Sequence, residues 1–255
     1  MKRFLTAIAA LVLSALAAAA LLERWRTRNI GTVQRGWLVA SRRGCFTCHG
    51  PGGTSGVPNP GHGLGDVPSF TGGLTPMYAR DEGEIREWIL DGLPRRVRDD
   101  PAQMAHRAGA AIRMPAWRGL LGERELADLV AYVKAVSDFE RPDEPRAAEG
   151  QKVAERTGCF HCHGPQGRGS MLGIRAFKGY IPAWDGADFG ELAQGDAEIR
   201  AWILDGGTRR AYGNPVARWL MERQPIKMPA YRGRLTEDEV ARIVDYIHWL
   251  RAHPY

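Results

Sequence analysis

The sequence predicts an all-α protein in which one domain occurs twice in tandem, preceded by a single N-terminal hydrophobic helix. Apolar residues recur with helical periodicity, long strings repeat without gaps, and no strand or hairpin pattern competes. Hydrophobic residues make up 44% of 255 residues, enough for the cores of two domains. The net charge of +6 suits an acidic partner or anionic lipid, whereas no basic cluster interleaved with aromatic residues indicates nucleic acid.

Residues 1–29 form the first predicted element. After two basic residues, the run at 4–22 is predominantly apolar and close to the ~20 residues that a membrane-spanning helix needs. Trp25 and the neighbouring arginines suit a membrane interface. Ala18 and Ala20 also form an A-x-A cleavage site, so a removable signal peptide is the alternative. We favour an uncleaved membrane anchor.

The remainder of the chain is a tandem duplication with a period of 114 residues (159 − 45 and 228 − 114). Three pairs of strings share this spacing: CFTCHG at Cys45 and CFHCHG at Cys159, EIREWILDG at Glu84 and EIRAWILDG at Glu198, and MPAWRG at Met114 and MPAYRG at Met228. The period is far too long for a solenoid. We therefore expect one domain at 30–140 and a second at 141–255, joined by a proline-rich and charged surface linker at 137–150.

Apolar spacing and capping residues predict the helices. The last helix of each domain carries four apolar residues at i, i+3, i+4 and i+7: Leu126, Leu129, Val130 and Val133, then Val240, Ile243, Val244 and Ile247. Thr236 and Glu239 form a capping box at the start of the second of these helices. A shorter helix over EIREWILDG ends at Gly92, and a leading helix at about 34–43 runs into Cys45. The Gly- and Pro-rich stretch at 51–73 is predicted to be a loop.

All four cysteines fall in the two Cys-x-x-Cys-His strings. A disulfide between cysteines separated by only two residues would close too short a loop to stabilise the fold. A thioredoxin-like dithiol would need strand–helix alternation, and a four-cysteine zinc site would need the two pairs much closer together. The remaining interpretation is c-type haem attachment, in which two thiols bond to the haem and the adjacent histidine ligates iron. The residues concerned are Cys45, Cys48 and His49, then Cys159, Cys162 and His163.

With these motifs, the sequence resembles the class I cytochrome c family, specifically its tandem dihaem members. The matching features are Cys-x-x-Cys-His-Gly after a leading helix, a later Met-Pro and an amphipathic last helix, which together cover 36–250. The resemblance implies two covalently attached haem c groups. It also implies two pairs of axial iron ligands: His49 with Met114, and His163 with Met228. In this family a glycine of the leading helix often meets an aromatic residue of the last, which fits Gly36 with Tyr132 and Gly150 with Tyr246.

The resemblance implies further residues around each haem. The carbonyls of Pro68 and Pro182 would accept a hydrogen bond from the ligand histidine, although an ordinary turn proline is the alternative. Trp88 and Trp202 would line or buttress the haem pocket, or simply pack in the core. Four arginines could pair with haem propionates or lie on a solvated surface: Arg95, Arg96, Arg209 and Arg210.

The first domain leaves a second ligand set open. His62 or His106 could replace Met114 and give a bis-histidine haem. Neither has a counterpart in the second domain, where Ala176 and Leu220 occupy those positions. We therefore favour methionine in both domains. His161, between the cysteines, is predicted to lie at the surface.

Met/His ligation raises the reduction potential of a haem and leaves no open coordination position. The predicted function is therefore electron transfer between respiratory redox proteins, and the chain is more a carrier than an enzyme. It would be a tethered carrier or a subunit of a quinol-oxidising or terminal-oxidase complex. The resemblance implies attachment to the bacterial cytoplasmic membrane, with the haem domains on the periplasmic side. The alternative is a haem enzyme with one open iron site, of the peroxidase or sulfur-compound oxidising type.

Overall fold

The structure is a computed structural model, and it describes residues 8, 12–19, 21, 30–71, 73–172 and 179–255. The predicted membrane anchor at 1–29 lies largely outside these residues. Within the described part of the chain, no helix combines the length and the apolar character that crossing a bilayer requires.

The first domain is helical, as predicted. Its helices are α1 (Thr32–Arg42), α2 (Phe46–His49), α3 (Leu74–Tyr78), α4 (Glu82–Asp91), α5 (Arg95–Arg98), α6 (Pro101–Arg107) and α7 (Glu123–Val136), with a 3-10 turn at Pro51–Gly53. The predicted apolar face of α7 is buried, and α7 packs across α1. The helices cross at Gly36, where a Cβ atom would lie 1.9 Å from the carbonyl oxygen of Asp128. Only glycine permits so close an approach.

The second domain repeats this arrangement. Its elements are α8 (Pro145–Arg156), α9 (Cys159–His163), a 3-10 turn (Pro165–Gly167), β1 (Met171–Leu172), β2 (Tyr180–Ile181), α10 (Phe189–Leu192), α11 (Asp196–Asp205), α12 (Arg209–Gly213), α13 (Pro215–Arg223) and α14 (Glu237–Ala252). Gly150 is equivalent to Gly36 at the crossing of the first and last helices, since a Cβ atom there would lie 1.9 Å from the carbonyl oxygen of Arg242. The predicted capping box is present: Glu239 N–H donates to Thr236 Oγ1, and Thr236 N–H donates to Glu239 Oε2.

The linker is shorter than predicted. Helix α8 begins at Pro145, inside the stretch at 137–150 that the sequence indicated as linker. Proline is well suited to the first helical position, where its missing N–H has no partner to lose and its φ is already helical. The charged residues of 146–150 therefore belong to the leading helix of the second domain.

The short β1–β2 ladder was not predicted. It pairs Met171 with Ile181 and Leu172 with Tyr180 in antiparallel fashion. The first domain has an isolated antiparallel bridge at the matching positions, between Pro58 and Asp66. The two-residue ladder closes a loop and is too short to produce an alternating sequence pattern.

The two domains contact each other around Tyr255. The Thr32 hydroxyl donates to the main-chain oxygen of Tyr255 at 3.1 Å. The phenol ring lies between two cations, Lys134 Nζ at 4.3 Å from its centroid and Arg168 Cζ at 3.9 Å. Arg168 is almost fully buried and bonded to Asp185 at 2.9 Å. Residues of both halves therefore meet at one packed contact.

Candidate cofactor sites

Each domain encloses a cavity of about 180 Å³. The first is lined by six of the residues that the sequence indicated for that domain: Cys45, Cys48, His49, Pro68, Trp88 and Met114. The second is lined by the matching set: Cys159, Cys162, His163, Pro182, Trp202 and Met228. Residues up to 69 positions apart in the sequence (114 − 45) thus converge on one space in each domain.

One-turn helices present the cysteines and the histidine to each cavity. Nδ1 of His49 lies 2.8 Å from the carbonyl oxygen of Pro68, and Nδ1 of His163 lies 2.8 Å from that of Pro182. A carbonyl only accepts, so Nδ1 carries the proton and Nε2 keeps its lone pair for a metal. Burial lowers the pKa of both imidazoles, which favours the neutral form that metal ligation requires.

An aromatic residue that sequence reasoning missed packs on each histidine. Phe70 lies 4.6 Å from His49 between ring centroids, and Trp184 lies 5.2 Å from His163. Both line the cavities and occupy matching places, two residues after the proline. An aromatic residue at the same repeat position in both halves was the signal that could have identified them.

The ends of α4 and α11 hold the two methionine loops. Gly92 and Gly206 end these helices in the left-handed conformation, both with φ of 71°. A Cβ atom on them would lie 2.4 Å from the carbonyl oxygen of Met114 and 2.5 Å from that of Met228. Glycine therefore allows the chain carrying each methionine to pass directly over the helix end.

The two tryptophans are oriented by hydrogen bonds. The indole N–H of Trp88 donates to the carbonyl of Tyr78 at 3.1 Å, and that of Trp202 donates to the carbonyl of Leu192 at 2.8 Å. Because the polar edge of each ring is satisfied by the main chain, its apolar surface is available to the cavity.

The four arginines considered as partners for haem propionates either form ion pairs with carboxylates or lie exposed on the surface. Arg96 bonds Glu84 at 2.7 Å, and Arg210 bonds Glu198 at 2.7 Å. Arg95 pairs with Asp99 on the surface, and Arg209 is exposed. None of them lines either of these two cavities. Among the cations that do line the first cavity is Arg107, which sequence reasoning did not single out.

The two alternative histidines of the first domain lie in different places. His62 lines the first cavity together with Met114, whereas His106 is exposed and does not line it. His161 is exposed, as predicted.

The donor set fits a haem in each cavity. The four cysteines, all within the described residues, carry free thiols, and each cavity adds a neutral histidine, a thioether and mostly apolar walls. No group of three or more His, Cys, Asp or Glu side chains in the described ranges is arranged to hold a bare metal ion. The arrangement suits a group that is covalently attached and brings its own equatorial ligands to the metal.

Comparison with known proteins agrees with this arrangement. The family model for cytochrome c matches the chain twice, at 33–137 and at 147–251. The cbb3-type cytochrome c oxidase subunit FixP of Azorhizobium caulinodans is 23% identical over 214 residues, covering 83% of this chain and 58% of that relative. The chain thus spans under two thirds of the relative's length. A solved chain of the reducing HAO-like protein complex of Kuenenia stuttgartiensis is 18% identical, covers 85% of this chain and 96% of its own, and has a TM-score of 0.25.

Proposed function

The chain belongs to the cytochrome c family, and from that membership we propose that it is a dihaem electron carrier of a respiratory chain. Its two cytochrome c domains carry two covalent haem c groups, and proteins of this type transfer electrons. When bound, each haem supplies a reversible one-electron iron couple. The remaining roles belong to the residues around each cavity.

We assign the same roles in both domains. The cysteines would hold the cofactor as thioethers, and His49 and His163 would ligate iron through Nε2. Met114 and Met228 would each supply a thioether sulfur as a further iron ligand. The observation that carries this proposal is that both cavities bring together the whole set, with the 2.8 Å histidine-to-proline hydrogen bond in each. That bond fixes the ring orientation and increases the basicity of Nε2.

With a histidine and a methionine on each iron, no position would remain for a substrate, which supports electron transfer over catalysis. We prefer Met114 to His62 because the second domain presents Met228 at the same place and has no histidine equivalent to His62. A thioether ligand also favours the reduced iron and so a high potential, as suits a carrier near the end of a respiratory chain.

We propose redox proteins as the donor and acceptor, within a quinol-oxidising or terminal-oxidase chain. The similarity to a subunit named for a cbb3-type oxidase supports the terminal-oxidase assignment. We further propose that residues 1–29 anchor the protein in the bacterial cytoplasmic membrane. The haem domains would then lie on the periplasmic side, where covalent haem is attached in this family.

Carbon monoxide tests the ligand assignment. The purified full chain, reduced with dithionite, should contain two haems and show no spectral change on addition of carbon monoxide, because both irons are six-coordinate. Met114→Ala and Met228→Ala serve as positive controls, since each opens one position and should bind the gas at one haem. Binding at one haem of the unmodified protein would instead support a haem enzyme with an open iron site.

A further inference from the structure

The two cavities are close to a matched pair. They have the same volume, about 180 Å³, and the same candidate ligands. The hydrogen bond from the ligand histidine to a proline carbonyl is 2.8 Å in both. These are main determinants of the potential of a haem. Because they are equal, each half acts as an internal reference for the other, and any remaining difference in charge becomes informative.

Arg107 is such a difference. It lines the first cavity, with its guanidinium carbon 4.8 Å from the centre of a ring of Trp88. The matching position of the second domain (107 + 114) is Met221, which is buried and lines the second cavity. One cavity therefore contains a cation where the other contains an uncharged thioether.

Among the residues that the structure describes, the guanidinium of Arg107 has no anionic partner. Throughout the described residues, it neither pairs with a carboxylate nor donates a hydrogen bond, and the face of Trp88 is its one ring contact. Burial lowers the pKa of this group, because desolvation disfavours its charged form. A half-buried cation without an acceptor is costly, so the cavity is prepared for an anion. The propionates are the anionic groups of a haem.

The other cations around the cavities do not cancel this difference. Arg43 also lines the first cavity, but it pairs with Glu125 at 2.8 Å. Arg113 lines the first cavity and its counterpart Lys227 lines the second, so that charge occurs in both. Arg107 is the cation left over when the two cavities are compared.

We propose that Arg107 binds a propionate of the haem in the first domain and holds the potential of that haem above the potential of the haem in the second. A fixed positive charge favours the haem state with one more electron. A single electron would then pass from the haem of the second domain, which would be oxidised, to the haem of the first, which would be reduced, with no bond or proton changed. This inference rests on the proposed electron-transfer function.

Redox titration of Arg107→Met tests the proposal. This change gives the first cavity the residue type of the second. The optical titration of the full protein with both haems is fitted with two one-electron components. We expect the midpoint potential of the higher component to fall by ~59 mV, which is a tenfold change in its one-electron redox equilibrium. The midpoint potential of the lower component should not change. Arg107→Lys keeps the charge and should retain most of the separation.

A surface arginine provides the matched control. Arg95→Met removes the same charge at a position whose side chain is 82% exposed and outside both cavities, and should move neither component. The proposal is overturned if the unmodified protein shows only one component, or if Arg107→Met lowers the midpoint potential of the lower component. It is also overturned if Arg107→Met changes the midpoint potentials no more than Arg95→Met does. A different observation, carbon monoxide binding by the unmodified protein, would contradict the proposed function.

Discussion

The imidazole of His49 is held from two sides by residues that are distant in the sequence. Its Nδ1 donates to the carbonyl of Pro68, and the ring of Phe70 packs against it. Phe70 in turn lies on Gly53, where a Cβ atom would come within 2.1 Å of the phenyl ring. The absence of a side chain at position 53 therefore determines how close the aromatic ring can come to the candidate iron ligand. The second domain repeats the arrangement with a tryptophan over a glycine.

We predict that Gly53→Ala is more destabilising than Gly65→Ala. Both glycines have positive φ, 72° and 77°, so each alanine carries the ~1–2 kcal/mol cost of the left-handed conformation. Only position 53 adds a clash, because nothing lies within 4 Å of a Cβ atom at position 65. We expect Gly53→Ala to lose a further ~1–3 kcal/mol of unfolding free energy in urea titrations. Equal losses for the two variants would contradict the proposed packing.

Among the secondary-structure elements, the same ion pair ties a helix to its successor in both domains. Arg96 of α5 bonds Glu84 of α4, and Arg210 of α12 bonds Glu198 of α11. These hydrogen bonds lower the pKa of both glutamates from 4.5 to about 2. The carboxylate is therefore favoured in the folded state, and the pair links the helix that ends beneath the methionine loop to the short helix that follows.

The sign of the pH dependence follows from the lowered pKa. The pKa of Glu84 is lower in the folded state than in the unfolded state. Its contribution to the free energy of unfolding is therefore fully present above pH 4.5 and is lost as the pH falls towards 2. We predict that Glu84→Gln flattens the fall in unfolding free energy across this range, measured by urea titration at successive pH values. Arg96→Gln should flatten it equally, and the double variant should add little, because the two residues act through one interaction. A full wild-type slope in Glu84→Gln would refute the assignment.

The sequence predicted the elements whose pattern is local. The long helices α7 and α14 were found because four apolar residues mark one face of each, and the haem-attachment strings because they are contiguous. The linker predicted at 137–150 overlaps α8 because its prolines and charges were interpreted as a loop, whereas Pro145 occupies the first helical turn. Phe70 and Arg107 were missed for another reason: their contacts with His49 and Trp88 arise only when distant segments fold together.

For the whole molecule, the duplication alone does not determine how the two domains are joined. The joint is built from residues whose partners differ between the halves. The ring of Tyr255 lies against Arg168 of its own domain and Lys134 of the other. Burial raises the pKa of Tyr255, which keeps the phenol neutral between the two cations. Cation–π contacts with desolvated groups are worth up to ~2 kcal/mol each, so one ring can contribute strongly to the attachment of one domain to the other.

We predict that Tyr255→Ala loosens the contact between the domains while leaving each domain folded. Loss of the ring uncovers Arg168, whose side chain is 1% exposed and whose Nη2 has no hydrogen-bond partner in the described structure. Amide hydrogen exchange should then rise at the end of α7, where Lys134 faces the ring, and at the start of α1, where Thr32 bonds the main-chain oxygen of the same residue. Exchange in α4 and α11, beside the cavities, should not change. Tyr255→Phe keeps both cation contacts and should match the unmodified protein, so a protection loss as large in Tyr255→Phe as in Tyr255→Ala would assign the joint to the hydroxyl group rather than to the ring.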